Sequence, residues 1–221
     1  MKPHHHPDIS TLMAYSSASL SSAFTAVVAA HLSVCGACRE RLRQTDAIGG
    51  QLLSQRDGLA LSAGASERLM AKLKAEPSAS TSTATAPSTP RADDPDALPM
   101  PLWPYFGRSY RELDWKWIGP GIHHIRAQGV REDHLMLLRV APGRSLPMHT
   151  HGSNELTMIL RGAYDDRLGH FAPGDMADLD CDIEHQPVTS PGVPCICVAA
   201  TDAPLMFSGW MARMLQPFVR L

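Results

Sequence analysis

The sequence of 221 residues has few aromatic side chains, almost no net charge and no long apolar run. Aromatic residues make up 6% of the chain, and the formal charge at pH 7 is -2. Such a small charge gives no electrostatic basis for binding nucleic acid or an anionic membrane surface. The longest apolar candidate, residues 24–30, is far shorter than the roughly 18 residues that a membrane-spanning helix requires. We therefore expect no membrane span and no direct contact with nucleic acid.

Cysteine is also scarce, and its number is odd. The chain has 5 cysteines, which fits a reducing compartment better than a disulfide framework. The opening residues, MKPHHHPD, lack the apolar core of a secretory signal peptide. These features predict a cytoplasmic protein. Histidine and methionine, by contrast, are abundant, with 11 of each.

The composition divides the chain into three parts. Residues 8–75 contain no proline and are rich in alanine and leucine, whereas residues 100–221 are rich in glycine and proline between short apolar runs. Residues 77–99 consist almost wholly of Ser, Thr, Ala, Pro and Asp, a composition that cannot bury a core. We predict a first domain at residues 1–76, a flexible linker at 77–99 and a second domain at 100–221.

The first part has the apolar periodicity of a small helical bundle with three helices and a separate fourth one. The predicted N-terminal caps are Asp8 or Ser10 for the first helix, Ser19 for the second and Ser66 for the fourth, and the third helix runs from about Cys38 to Gln55. Gly49 and Gly50 are expected to weaken or bend the third helix. In the last part, short apolar runs alternate with turn residues at intervals of about ten residues, which predicts an antiparallel sandwich or barrel.

A first cluster of metal-ligand types lies in HLSVCGAC, residues 31–38. His31, Cys35 and Cys38 carry the imidazole and thiolate ligands that structural zinc sites use, at spacings that can reach one ion. A helical hairpin would return the residues before the first helix to this place, and His6 is then the expected fourth ligand. Two other interpretations stay open: a helix-end histidine beside buried cysteines, or a redox C-x-x-C motif, although no βαβ pattern surrounds it.

The segment from Pro7 to Leu42 resembles the zinc-binding anti-sigma domain. The resemblance rests on an N-terminal histidine followed at a distance by H-x3-C-x2-C, and it covers about residues 4–75. It implies a structural zinc site formed by His6, His31, Cys35 and Cys38. It also implies that the helices clamp an extracytoplasmic-function sigma factor and block its access to core RNA polymerase.

A second cluster lies in GRSLPMHTHGSNELTMILRG, residues 143–162. Residues two apart on a strand share a face, so His149 and His151 can both point into a barrel, and Glu155 has the same parity. This run is similar to the first cupin motif, G-x5-H-x-H-x3-E-x6-G. A Pro-Gly-Asp turn followed by His185 is similar to the second motif, although the histidine follows the glycine later than in its commoner form.

The cupin resemblance, over about residues 100–215, implies an antiparallel jelly-roll barrel with a metal bound by His149, His151, Glu155 and His185. Zinc, iron, manganese or nickel would suit these ligands. Without the motif, the same residues would be a histidine-rich strand that binds no metal. Cys195 and Cys197 are two residues apart on a probable strand, where they either pack in the core or form an oxidant-sensing thiol pair. Cys181 lies close enough in sequence to His185 to approach the metal.

A helical zinc domain joined by a linker to a cupin is the layout of the ChrR family, which this chain resembles in both halves and in their order. The resemblance implies an anti-sigma factor that inhibits an extracytoplasmic-function sigma factor as a 1:1 complex. It further implies release of that factor under oxidative stress such as singlet oxygen or organic hydroperoxide. Two alternatives remain: a dioxygenase-like cupin metalloenzyme with an accessory zinc domain, and a metal sensor that binds no sigma factor.

Overall fold

The structure, a computed structural model, describes residues 2–75, 94–130, 133–151, 154–180, 182–203 and 205–207. At residues 149–151 and 205–207 the backbone alone is described. Most of the predicted linker, residues 76–93, lies outside the described residues, as does Cys181. The prediction that residues 77–99 form a flexible linker therefore stays a prediction.

The N-terminal part is helical, as predicted. The helices are α1 at Ile9–Ser16, α2 at Ser22–Val34, α3 at Gly36–Ser54, α4 at Ala65–Ala75 and a short α5 at Trp103–Phe106. Two 3₁₀ turns, Met100–Leu102 and Tyr110–Glu112, flank α5. Among the described residues, no single helix is both long and apolar enough to cross a bilayer. Helices α2 and α3 taken together would be long and apolar enough, but they meet at a bend of 118°.

The helix ends match the sequence predictions in part. Asp8 is the N-cap of α1, and its carboxylate accepts a hydrogen bond from the Ser10 amide at 2.8 Å. The predicted Ser19 cap of α2 is wrong, because Ala18 takes a left-handed conformation at φ 54° and the turn continues until Ser21, the actual N-cap. An alanine in the left-handed conformation ends α1, but the N-cap of α2 comes only three residues later, at Ser21. Helix propensities do not predict this, because alanine rarely adopts a positive φ.

Helices α3 and α4, in contrast, begin earlier than predicted. Helix α3 starts at Gly36 and runs without a break through Gly49 and Gly50. Among the described residues, no atom lies within 4 Å of a Cβ built at either glycine. Helix α4 starts at Ala65, one residue before the predicted Ser66 cap, and it buries none of its side chains.

The C-terminal part is an antiparallel β structure, which confirms the predicted fold class. Its strands are β1 at Lys116–Gly119, β2 at Ile122–Arg126, β3 at His134–Val140, β4 at His149–His151, β5 at Glu155–Arg161, β6 at Tyr164–Asp166, β7 at Gly169–Phe171, β8 at Met176–Leu179, β9 at Val188–Thr189, β10 at Cys195–Thr201 and β11 at Leu205–Phe207. Six strands form the largest sheet in the order β1-β2-β3-β10-β5-β8. Smaller sheets pair β7-β6-β9 and β11-β4.

The two faces of the large sheet bury different partners. Strands β3, β5 and β10 are apolar on both faces, as expected for strands covered on each side. On the inner face, Ile159, Cys195 and Cys197 pack against Tyr164 and Phe171 of the small sheet. On the outer face, the sheet shares one core with the helices, whose buried members include Val27, Ala30, Leu137, Leu156 and Val198. Helix α2 is therefore a core element of both parts of the chain.

An N-terminal arm, which we define as residues 3–7, lies against the edge strand β8. The Met176 amide at the start of β8 donates to the His5 carbonyl oxygen at 3.2 Å. Farther along the strand, Asp178 accepts hydrogen bonds from the Asp8 amide at 2.9 Å and the Thr11 hydroxyl at 2.7 Å. The arm and the start of α1 thus cover one edge of the sheet.

Candidate metal centre

Four side chains from three segments meet at the junction of α2 and α3. His31 lies in the last turn of α2, and Cys38 lies in the first turn of α3. Cys35 stands between the two helices in an extended conformation, as the C-cap of one and the N-cap of the other. His6 comes from the N-terminal arm. The structure therefore brings together the four residues that the sequence predicts as zinc ligands.

The distances between the ligand atoms fit a tetrahedral zinc site. All four ligand atoms lie within 4.8 Å of one another. The Nδ1 atom of His6 is 3.4 Å from the sulfur of Cys35 and 3.4 Å from that of Cys38, and Nε2 of His31 is 3.3 Å from the Cys38 sulfur. Zinc bonds of about 2.0 Å to nitrogen and 2.3 Å to sulfur give tetrahedral edges of about 3.3 to 3.8 Å. The three shortest of these distances match tetrahedral zinc, and the four residues present therefore fit a zinc ion.

The local backbone explains how the two cysteines converge. Since Cys35 interrupts the helix, α3 leaves at a sharp angle and its first turn lies over the sulfur of Cys35. The amide of Cys38 donates to that sulfur at 3.4 Å. An amide directed at a sulfur stabilises a thiolate there, as in an N-terminal helix cap.

His31 is held by a group from the β part of the chain. Its Nδ1 donates to the carbonyl oxygen of Gly174 at 2.8 Å, and its side chain is fully buried. With Nδ1 carrying the proton, Nε2 presents its lone pair toward the sulfur atoms. A hydrogen bond from the remote ring nitrogen to a carbonyl is the usual way in which a metal-binding histidine is oriented.

Burial favours the neutral forms of His31, His6 and Cys38 in the absence of an ion. Burial lowers the pKa of His31 to about 4 and, more weakly, that of His6, to which the charge of Arg41 adds. Burial also raises the pKa of the Cys38 thiol to about 12. Imidazoles are thus ready to bind a cation at neutral pH, whereas the Cys38 thiol must release a proton to do so.

The predicted cupin metal site is described only in part. Strand β4 carries His149 and His151, and its pairing with β11 aligns His151 with Leu205. The side chains of these two histidines lie outside the described residues. Glu155 and His185 are described and buried, and the Glu155 carboxylate accepts a hydrogen bond from the Thr157 hydroxyl at 2.5 Å. The four-ligand site therefore stays a prediction.

Asp166 is a residue of this region that the sequence did not reveal. Its Oδ2 lies 3.0 Å from Nδ1 of His185, and the two side chains are 0% and 4% exposed. A carboxylate on the remote nitrogen of a metal-binding histidine orients the ring and raises its basicity. The sequence shows two adjacent aspartates at residues 165–166, but it does not indicate which histidine either of them contacts.

The other cysteines of the β part are core residues. Cys195 and Cys197 are both buried on β10, and they pack in the inner core. Burial raises the pKa of Cys195 to about 12 and that of Cys197 well above its ordinary value. Protonated, inaccessible thiols react slowly with oxidants, which supports the packing interpretation over a sensing pair. Cys181, the other candidate, lies outside the described residues.

The chain is similar to known proteins over nearly its whole length. Residues 108–203 match the family described as the ChrR Cupin-like domain. The chain is 38% identical over 217 residues to the Anti-sigma-E factor ChrR of Cereibacter sphaeroides, with 98% of each chain covered. It also matches a chain in the crystal structure of Rhodobacter sphaeroides SigE in complex with the anti-sigma ChrR, at a TM-score of 0.75 and 35% identity, covering 91% of this chain and 100% of that chain.

Proposed function

The chain belongs to the ChrR family of anti-sigma factors, and on this basis we propose that it binds an extracytoplasmic-function sigma factor in a 1:1 complex and keeps it inactive. The observation that carries this proposal is the match over 98% of both chains, which includes the helical part as well as the cupin. A family of regulators argues against the alternative of a dioxygenase-like enzyme. The chain is thus a regulator of transcription, and we assign no reaction to its cupin.

The apolar side chains of α3 and α4 are the proposed contact surface for the sigma factor. We define this surface by the exposed residues Ile48, Leu52, Leu53, Leu69, Met70 and Leu73. These residues form the apolar side of each helix, and all six are more than half exposed in the isolated chain. An exposed apolar patch of this kind is typical of a protein interface.

The first metal site has a structural role in this proposal. His6, Cys35, Cys38 and His31 would hold zinc, which would join the N-terminal arm to the end of α2 and the start of α3. The arm has no regular secondary structure of its own, so the bond to His6 would fix its position. Metal-binding energy at such a site is partly folding energy.

The cupin is the proposed sensing part, with a second divalent ion bound by His149, His151, Glu155 and His185. The burial of Glu155 and His185 supports this site, as do their partners Thr157 and Asp166. The proposed signal is oxidative stress such as singlet oxygen or organic hydroperoxide. The proposed location is the cytoplasm, where a sigma factor meets RNA polymerase, and we expect no contact with DNA or a membrane.

Co-purification tests the function most directly. The full-length chain, with an affinity tag at its C-terminus, is expressed in its native cell, and the bound proteins are identified by mass spectrometry. We expect one small sigma factor in equal amount, and repression of a promoter that this factor reads. Recovery of the chain without any sigma factor, from cells that contain one, would instead support a stand-alone metal sensor.

A further inference from the structure

A carboxylate of the cupin holds the arm that carries His6. Asp175 follows the turn between β7 and β8, and it is buried. Its Oδ1 accepts hydrogen bonds from the amides of His4 at 2.6 Å and His5 at 3.0 Å. Its Oδ2 accepts a third from the amide of Ala172, within its own turn, at 2.8 Å. One carboxylate therefore joins the cupin turn to the two residues that precede the ligand.

Further contacts fix the same part of the arm. The His5 ring stacks on Phe171 with their centres 4.1 Å apart, and its Nε2 donates to the carbonyl oxygen of His170 at 3.1 Å. The His5 carbonyl accepts from Met176. His5 is thus held through its amide, its carbonyl and its ring, all by residues of the cupin, while His6 points the other way, toward the cysteines.

The turn that holds the arm also holds the second imidazole. Gly174 precedes Asp175, and its carbonyl oxygen is the acceptor for Nδ1 of His31. Both histidines of the centre are therefore positioned by adjacent residues of one cupin turn. His31 is held directly, and His6 is held through the main chain of the arm.

Among the contacts that hold the N-terminal arm, the hydrogen bonds to Asp175 are expected to be the strongest, because its carboxylate is charged. Hydrogen bonds from amides to an ionised carboxylate are stronger than those between neutral groups. Although burial works to raise the pKa of Asp175, the amides of His5, Ala172 and His4 outweigh it and the pKa is lowered. The carboxylate is therefore ionised at neutral pH, when it binds the arm most strongly.

We propose that Asp175 is a positioning residue of the zinc centre, supplied by the cupin, which presents His6 to the metal by binding the amides of His4 and His5. This inference rests on the zinc site proposed above. It makes the β7–β8 turn an outer shell of a metal site that otherwise belongs to the helices. Loss of the carboxylate frees the arm, so that His6 leaves the metal more often while His31 and both cysteines remain.

The test uses the full-length chain loaded with cobalt(II), together with the variants Asp175→Ala, Asp175→Asn and His6→Ala. Absorption from thiolate to cobalt requires a sulfur ligand, so it distinguishes this site from a site of histidines and a carboxylate. We expect Asp175→Ala to release cobalt to a chelator about 10-fold faster or more, in the range seen for outer-shell changes. Its ligand-field spectrum should shift toward that of His6→Ala. Asp175→Asn keeps one acceptor oxygen and should fall between the wild type and Asp175→Ala.

Asp165→Ala is the matched control, because among the described residues that carboxylate is bonded to the side chains of His170 and Ser190, both in the cupin, and not to an amide of the arm. Wild-type release and spectrum in Asp175→Ala, with a clear loss in His6→Ala, would overturn the inference and leave the zinc site intact. If His6→Ala itself changed nothing, the zinc site would be wrong. If a thermal melt shows that Asp175→Ala does not fold, the Asp175→Asn variant tests the inference in its place. Release of cobalt from Asp175→Asn at the wild-type rate would then contradict the inference.

Discussion

The imidazole of His31 and the carbonyl of Gly174, 143 residues apart in sequence, form a buried hydrogen bond of 2.8 Å. His31 belongs to the helical part, and Gly174 belongs to the cupin. The bond lies at the same place where α2 packs on the outer face of the large sheet and where the N-terminal arm meets β8. Chemistry at the metal centre is therefore connected to the cupin by direct contacts among the described residues.

Replacing a thiolate ligand should abolish both metal and partner binding. In Cys38→Ser the serine hydroxyl is a poor zinc ligand, so the arm and the α2–α3 junction lose their common bond. We expect the variant to lose the metal of this site and to stop repressing the target promoter, measured by elemental analysis and a reporter. Cys195→Ala, which removes a buried cysteine of the cupin, is the control and should keep both. Normal repression by a zinc-free Cys38→Ser chain would refute the structural role.

Zinc affinity should fall on acidification. Burial raises the pKa of Cys38 to about 12, so the metal-free thiol is protonated at neutral pH and binding must release that proton. Burial lowers the pKa of His31 to about 4, so this ring stays neutral and does not compete in the same range. Affinity should therefore drop at least about tenfold per pH unit from about pH 8 to 6. Zinc affinity at each pH is measured by competition with a chelator whose protonation constants are known. An affinity that does not change with pH would contradict the assignment of Cys38 as a zinc ligand.

Removing the charge beside His185 should weaken the cupin site alone. In Asp166→Asn the ring loses a carboxylate partner, and metal affinity there should fall about 10- to 100-fold. Elemental analysis should then show a decrease from about two ions per chain toward one, with the thiolate site still filled. Asp165→Asn, on the exposed neighbour, should retain both ions. Equal metal content in the two variants would leave Asp166 without a role at the metal.

A charge on the proposed contact surface should weaken the complex without unfolding the chain. Leu73 on α4 and Val193 in the β9–β10 loop are each 61% exposed, so they form a matched pair. Leu73→Asp should reduce affinity for the sigma factor at least about tenfold, since a buried unpaired charge at an interface is costly. Val193→Asp should not change it. Both variants should keep their stability within about 0.5 kcal/mol, which chemical denaturation can check. Equal binding by both variants would exclude Leu73 from the interface.

A side chain at Gly174 should destabilise the chain by more than backbone strain alone. Gly174 has φ +94°, and an added Cβ would lie 3.1 Å from Cγ of Pro3 and 3.6 Å from Cγ2 of Val34. Gly192 has a similar φ of +104° with open space around it. Gly192→Ala should cost about 1 kcal/mol from the backbone, and Gly174→Ala about 1 kcal/mol more from the contact. Urea unfolding compares them, and equal losses would mean that the arm moves aside freely.

Local patterns account for what could be predicted from the sequence. The H-x3-C-x2-C spacing places three ligand types at one helix junction, and an upstream histidine beside a helical hairpin made His6 the expected fourth. Alternation of apolar residues, with regular turns, gave the antiparallel class. Each of these inferences depends on residues that are close in sequence or on a helical hairpin that brings the N-terminal residues back to the end of α2.

Long-range contacts could not be predicted. Nothing in the sequence links Asp175 to the arm or Asp166 to His185, because each pair depends on the three-dimensional course of several strands. The apolar side chains of α3 and α4 recur at helical spacing, and most of them are exposed. A periodic pattern indicates that a face will be covered, but it does not distinguish cover by the same chain from cover by a partner.

The contact between His4 and Asp175 joins residues that lie 171 positions apart in a chain of 221 residues. The helices leave the ribosome long before the turn that supports their metal ligands has been translated. At about 5 to 20 residues per second, the interval between the two lasts on the order of ten seconds or more. Maturation of the inhibitor is therefore a late event in its biosynthesis, and a prematurely terminated product would lack the support for its own N-terminus.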